Sequence, residues 1–188
     1  MEENAADRRV RKTKGRIRQS LIALLLTKDL KDITVSELTD RADINRGTFY
    51  LHYRDVGELF REIEERMVEE FSRYIAKYKS YSALLRKPVL GDLFHYVAMN
   101  GDVCRALLRS RDSTFIARIF ELSRPGSAEE WQYYKQWEEE YYDYYYDFIC
   151  HGVFAMLRRW VETGMKEHVE QITLMVEKMI SNCVENFK

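Results

Sequence analysis

TVSELTDRADINRGTFYLHY, Thr34 to Tyr53, decides the fold. Thr34 followed three residues later by Glu37 has the spacing of a capping box: the hydroxyl accepts from a first-turn backbone amide and the acid reaches back. A helix of about two turns follows over Val35–Ala42, with Val35, Leu38 and Ala42 on its inner face. Asp43 tolerates irregular backbone and Ile44 plugs the core, so this pair turns the chain. Asn45 is a good N-cap for a second short helix, about residues 46–53. Phe49 and Tyr53, four apart, point inward onto Leu38 and Leu21. Arg46, Gly47, Tyr50 and Leu51 point outward, with Thr48 and His52 towards the flanks. Two short helices joined by a tight turn and packed on a preceding one make a helix-turn-helix, whose second member enters the major groove of DNA.

The outward residues suit that task. Arg46 can fork onto guanine O6 and N7. Gly47 lets backbone approach a phosphate or base edge without a side chain in the way. Thr48 and Tyr50 hydroxyls can donate to phosphates. Charge points the same way. Residues 8–54 carry twelve Lys or Arg against five Asp or Glu, a surplus of seven, so in a chain of net charge −1 the remainder carries −8. A basic front on an acidic body suits a polyanion at one end, although an accidental surface asymmetry would give the same count.

Outward from this unit the chain reads as helix throughout. It has 188 residues, with 46% apolar, 32% charged, two prolines and eight glycines, the profile of an all-helical globular protein. Residues 1–12 read as a frayed charged arm, either solvated or following a DNA backbone. A first helix is expected over about 13–28, with Ile17, Leu21, Leu24 and Leu25 as its buried stripe; Lys14 and Arg16 open it as DNA contacts. Asp55 and Glu58 repeat the capping spacing and start a long fourth helix on which Leu59, Ile63, Met67, Phe71, Ile75 and Tyr78 recur. Pro88 marks a boundary. Helices at about 89–100, 102–110 and 112–123 precede a loop at Arg124–Ala128. A very long helix then spans about 130–163, closed by Gly164, and a last one spans 168–186.

The order and spacing of TVSELTDRADINRGTFYLHYRDVGELF resemble the DNA-binding module of the TetR family of bacterial transcriptional regulators. Thr34, Val35, Leu38, Ala42, Ile44, Gly47, Thr48, Phe49, Tyr50, His52 and Tyr53 fall on the family pattern, and the resemblance covers about residues 13–70. It departs at Thr39 for a usual alanine, Asp43 for a usual glycine and Asn45 for a usual serine. It departs also at Val56–Gly57, where the family often has a phosphate-touching lysine and an acid; Arg54 is the nearby substitute. The C-terminal part, with LFHYVAMNGDVCRALL and DFICHGVFAMLRRWVETGMK, resembles a branch that includes activators of dihydroxyacetone-kinase genes.

The resemblance implies an all-α subunit in two parts. Residues 1–55 form a three-helix DNA-binding domain, with the helix-turn-helix at about 34–53. Residues 56–188 form a helical domain that binds a small molecule and dimerises. The expected function is that of a homodimeric repressor, released from operator DNA by a small-molecule effector; the alternative is a coactivator of the same fold that acts through a partner protein. Candidate DNA contacts are Lys14, Arg16, Thr34, Ser36, Asn45, Arg46, Gly47, Thr48, Tyr50, His52 and Arg54.

The tyrosine-rich WQYYKQWEEEYYDYYYDFICHGVF is the other unusual stretch. Trp137, Tyr141, Tyr144, Tyr145 and Phe148 share a broad helical face, more often core, but also able to line a pocket whose polar groups satisfy the hydroxyls. Met99, Cys104, Leu107, Phe115 and Phe120 are candidates from neighbouring helices. Gly152, Ala155 and Met156, with Leu157, Trp160, Val161, Ile172, Met175, Val176 and Met179, can build a two-fold interface or an intrachain contact. Cys104, Cys150 and Cys183 are odd in number and widely spaced, which fits a reducing cytoplasm rather than a disulfide framework. No signal-peptide core or membrane-length apolar run is read from the sequence. His95, His151 and His168 lack metal-ligand spacing, and neither a phosphate-binding glycine loop nor a nucleophile elbow occurs. An enzyme, a metal site and a cofactor are not expected.

Overall fold

The structure, a computed structural model, describes residues 5–76, 87–123 and 141–185. Among these it is all-α. The helices are α1 (Ala5–Leu25), α2 (Val35–Ala42), α3 (Arg46–Tyr50), α4 (Val56–Ala76), α5 (Lys87–Met99), α6 (Gly101–Arg109), α7 (Phe115–Ser123), α8 (Tyr142–Glu162) and α9 (Val169–Glu185). A single 3-10 turn, Leu30–Asp32, links α1 to α2. No described helix is long and apolar enough to cross a membrane.

Local chemistry sets most boundaries. The Thr34 hydroxyl caps α2 by accepting from Glu37 N–H at 3.2 Å. The reciprocal arm is absent: Glu37 instead pairs with Lys28 at 2.5 Å, tying α2 to the segment that follows α1. Asp55 caps α4 through Glu58 N–H, and the Glu58 carboxylate accepts from Arg54 N–H. Pro88 lies in the first turn of α5, where its missing N–H leaves no bond unmade. Gly164 follows α8 at φ 84°, the left-handed step that ends helices. One expectation fails clearly. The segment read as a frayed arm is helical from Ala5, because its Ala, Arg and Lys residues favour helix and charge alone does not disorder them.

α1 packs on α2, α4 and α6, while α5 lies along α9. Buried side chains from α1 to α3 and from α4 to α9 join one continuous apolar cluster that includes Ile17, Leu38, Phe49, Leu59, Phe94, Trp160 and Val176. Helices α1 to α3 are therefore seated on the rest of the fold through their apolar faces. Arg109 adds a hydrogen bond from α6 to the Leu26 carbonyl at 2.9 Å.

The phase of α8 departs from the expected one. Tyr146, not the Tyr141–Tyr144–Phe148 row, is the inward tyrosine; it is 2% exposed and donates to the Phe120 carbonyl. Tyr141, Tyr144 and Phe148 are exposed on the opposite side and Tyr145 is half-buried. Helical phase is fixed by Ile149, Val153, Leu157 and Trp160, all buried. Tyrosines at nearly every position upstream carry no phase of their own. Trp137, the expected loop and the first part of the expected long helix lie outside the described residues.

Of the expected two-fold interface, Leu157, Trp160, Val161, Ile172 and Val176 are buried within the subunit, and their role is intrachain packing. Gly152, Ala155, Met175 and Met179 remain exposed, with Met156 half-buried. Leu174, Tyr144 and Phe148 are further exposed apolar groups on the same two helices.

Candidate nucleic-acid interface

Phe49, 0% exposed, anchors α3 from beneath. Its ring meets Tyr53 at 5.8 Å and Tyr50 edge-on at 5.5 Å. Asn45 caps α3, its Oδ1 accepting from Thr48 N–H at 2.7 Å and from the Thr48 hydroxyl at 2.9 Å. In the free subunit the Thr48 hydroxyl is thus directed to Asn45. Arg46, Gly47, Tyr50 and Leu51 are exposed. Arg46 forms no ion pair among the described residues, and a Cβ at Gly47 would meet only Asn45 Oδ1, at 3.4 Å.

Two departures from the resembled pattern, at Asp43 in the turn and at Thr39 in α2, have local partners. Asp43 adopts φ 50°, ψ 55°, left-handed backbone in which a non-glycine residue is strained by about 1–2 kcal/mol and Asp by less. Arg16 braces it with hydrogen bonds to the Asp43 carboxylate at 2.7 Å and carbonyl at 3.2 Å. Thr39 is buried where an alanine would sit, and its hydroxyl is satisfied by the Val35 and Ser36 carbonyls.

Beneath this face Glu62 of α4 gathers three groups. Lys14 pairs with it at 2.9 Å, Tyr53 donates to it at 2.9 Å and Arg18 lies 3.7 Å away. The Lys14 ammonium also stands 5.0 Å over the Tyr53 ring. Partial burial opposes ionisation of Glu62. The hydrogen bonds from Lys14 and Tyr53, with the Lys14 and Arg18 charges, outweigh it and hold the carboxyl below its usual range. Burial and the bond to Glu62 push the Tyr53 phenol well above its ordinary value.

The expected DNA contacts therefore divide. Arg46, Gly47 and Tyr50 share an exposed face of α3, with His52 half-buried beside them and Arg54 exposed just beyond. Asn45 and Thr34 act as caps, with Ser36 half-buried in the first turn of α2. Lys14 and Arg16 have intramolecular partners in the free subunit, Glu62 and Asp43, and keep part of each side chain in solvent. Val56, at the position of the usual lysine, is 8% exposed and part of the core. Arg54 precedes α4, 3.2 Å from Asp55 with its side chain mostly in solvent.

Of the expected ligand-pocket residues, Cys104, Leu107 and Phe115 are core, Met99 is exposed, and Phe120 stacks on His151 and meets Phe154 at a tilt, both at 4.5 Å. Burial pushes the Cys104 thiol up to about 12, so it is an inert apolar group. Sequence reading missed an open cleft of about 510 Å³ between α4 and α7, lined by Val68, Glu69, Ser72, Arg73, Arg118, Glu121 and Leu122. It also missed Glu64, which binds these two helices together. Only 4% exposed, Glu64 accepts from the Ser113 hydroxyl at 2.6 Å, Thr114 N–H at 2.8 Å and Phe115 N–H at 3.1 Å. A signal for it exists: an acid in the row Phe60, Glu64, Val68, spaced by four on the buried side of α4. Among the described residues no cluster of three His, Cys, Asp or Glu could hold a metal ion.

Residues 87–182, half of the chain, match the TetR-group sequence profile described as "Transcriptional regulator C-terminal region". An uncharacterized HTH-type transcriptional regulator of Bacillus subtilis (strain 168), YxbF, is 33% identical over 55 residues, which are 29% of this chain and 14% of that protein. A TetR transcriptional regulator from Streptococcus agalactiae 2603V shares the fold at TM-score 0.65 and 23% identity, over 93% of this chain and 97% of that one. The dihydroxyacetone kinase operon activator DhaS does so at TM-score 0.58 and 17% identity, over 94% and 98%. FadR of Bacillus subtilis, solved with stearoyl-CoA, does so at TM-score 0.56 and 14% identity, over 92% and 98%. An exposed, firmly anchored α3 and a matched C-terminal body lead to one assignment: the chain belongs to the TetR family of transcriptional regulators.

Proposed function

We propose that this protein is an intracellular homodimeric repressor that reads a near-palindromic operator and is released by a small molecule. In this reading residues 1–55 bind DNA, and residues 56–188 hold the effector and the second copy. The observation that carries it is α3, where Phe49 is fully buried while Arg46, Gly47 and Tyr50 stand in solvent. Arg46 supplies base readout, and Tyr50 and Arg54 supply phosphate contacts. Two such helices about 34–36 Å apart would enter successive major grooves.

The exposed apolar groups of α8 and α9, among them Phe148, Ala155, Met175 and Met179, support self-association, because a monomer gains nothing by leaving them in water. The α4–α7 cleft supports an effector site, since its floor is α4 itself, the helix that begins directly behind the DNA module. The stearoyl-CoA bound to one protein of like fold makes a long-chain acyl-CoA the first effector to try. The test is selection of bound duplexes from a random pool at low salt, repeated with palmitoyl- and stearoyl-CoA. An enriched two-fold-symmetric sequence is expected. A pool that stays random overturns the reading.

A coactivator acting through a partner protein is the second reading. It is favoured by the buried Val56, which removes the usual phosphate contact at the mouth of α4. A body-dependent pull-down of a protein partner, with no DNA retained, would select it.

A further inference from the structure

Leu51 is 81% exposed, more than any other large apolar side chain described. It is not at a frayed end. As the C-cap of α3 it keeps right-handed helical backbone, φ −69°, ψ −19°, and its N–H bonds to the Gly47 carbonyl at 3.2 Å. Four residues on in a helix is about 40° round from the start, so Leu51 stands one turn above Gly47 on nearly the same face. Arg46 and Tyr50 form the neighbouring row with the same spacing. The outward face of α3 thus presents a cationic fork, a gap where a side chain is missing, a phenol and an isobutyl group.

The first three of these have polar uses on a duplex. The isobutyl group has none, because it can neither donate nor accept. The major-groove edges of the base pairs are polar apart from one apolar feature, the 5-methyl group of thymine. We propose that Leu51 is a specificity-determining residue that packs on thymine 5-methyl groups in each operator half-site. This inference rests on the DNA-binding reading above and deepens it: Arg46 selects guanine, and Leu51 selects thymine a turn of helix away.

Deoxyuridine differs from thymidine only by that methyl group, which makes the test chemical as well as genetic. The duplex enriched by the full-length wild-type protein is resynthesised with each thymine replaced singly by deoxyuridine. Affinity is read by fluorescence anisotropy for wild type and Leu51→Ala. At one or two positions per half-site, loss of the methyl should weaken the wild type roughly three- to fivefold, about what one buried methyl supplies. Leu51→Ala should be indifferent at those same positions. Its unfolding curve should overlay that of the wild type, since the side chain is in solvent. If deoxyuridine affects both proteins alike at every position, or neither at any, the inference is overturned while the DNA-binding reading stands. If the wild type enriches no sequence, the DNA-binding reading itself falls and takes this one with it.

Discussion

Replacing Glu64 by alanine removes the acceptor shared by Ser113 Oγ–H, Thr114 N–H and Phe115 N–H. The three losses differ in size. Ser113 is half-buried and Thr114 exposed, so water can take over part of their bonding; each should cost about 0.5 kcal/mol. Phe115 N–H is buried and keeps only a 3.2 Å contact with Ser113 Oγ, so its loss should cost about 1 kcal/mol. The missing methylene carbons add about 1 kcal/mol of lost packing. The sum is about 3 kcal/mol, or roughly 6–12 °C in Tm for a chain of this size. Glu64→Gln retains one acceptor oxygen and should cost about 1 kcal/mol. Urea and thermal unfolding followed by circular dichroism at 222 nm measure both variants. In a double-mutant cycle, Ser113→Ala should couple to Glu64 by about 1 kcal/mol. A Glu64→Ala protein within 1 kcal/mol of wild type, or a Gln variant as damaged as the Ala variant, would refute the assigned role of Glu64 as acceptor.

Asn45→Ala should lose about 1 kcal/mol, the typical worth of an N-cap, and Asn45→Ser most of it back; thermal melts decide. Lys14→Ala should lower Tm and leave the salt dependence of DNA affinity nearly unchanged, because Lys14 is bound to Glu62, whereas Arg46→Ala should leave Tm unchanged and broaden base preference in a binding selection. Glu62 gives a pH prediction. Its carboxyl is held low in the folded state, so its contribution is complete above the unfolded value of about 4.3 and lost as pH falls through the folded one; the Tm gap between wild type and Glu62→Gln should be constant from pH 6 to 8 and close on acidification below about 4. Met175→Asp with Met179→Asp should halve the sedimenting mass without changing far-ultraviolet circular dichroism; an unaltered mass would remove these residues from the dimer contact.

What could be read in the sequence was what depends on near neighbours. Thr34, Asn45 and Asp55 cap as expected because their partners lie three residues away. Phe49 and Tyr53 are core because their spacing repeats the helical turn. The α8 stripe misled because tyrosines at 144, 145 and 146 occupy successive faces, and only the branched and indole residues downstream choose among them. The partners of Lys14 and Arg16, Glu62 and Asp43, were not legible because they are 48 and 27 residues away. Glu64 was missed for the same reason, its donors lying 49 to 51 residues on. Burial of Leu157, Trp160 and Val176 inside the subunit depends on how α8 and α9 dock, which periodicity leaves open.

Two carboxylates two positions apart on α4 point to different halves of the molecule: Glu62 holds α1 and Tyr53, three residues beyond α3, and Glu64 holds the start of α7. An axial slip of even one residue, about 1.5 Å, would break the short bonds on both sides at once. The rod is pinned against sliding, so a movement of α4 that kept both sets of bonds would be a rotation and not a translation.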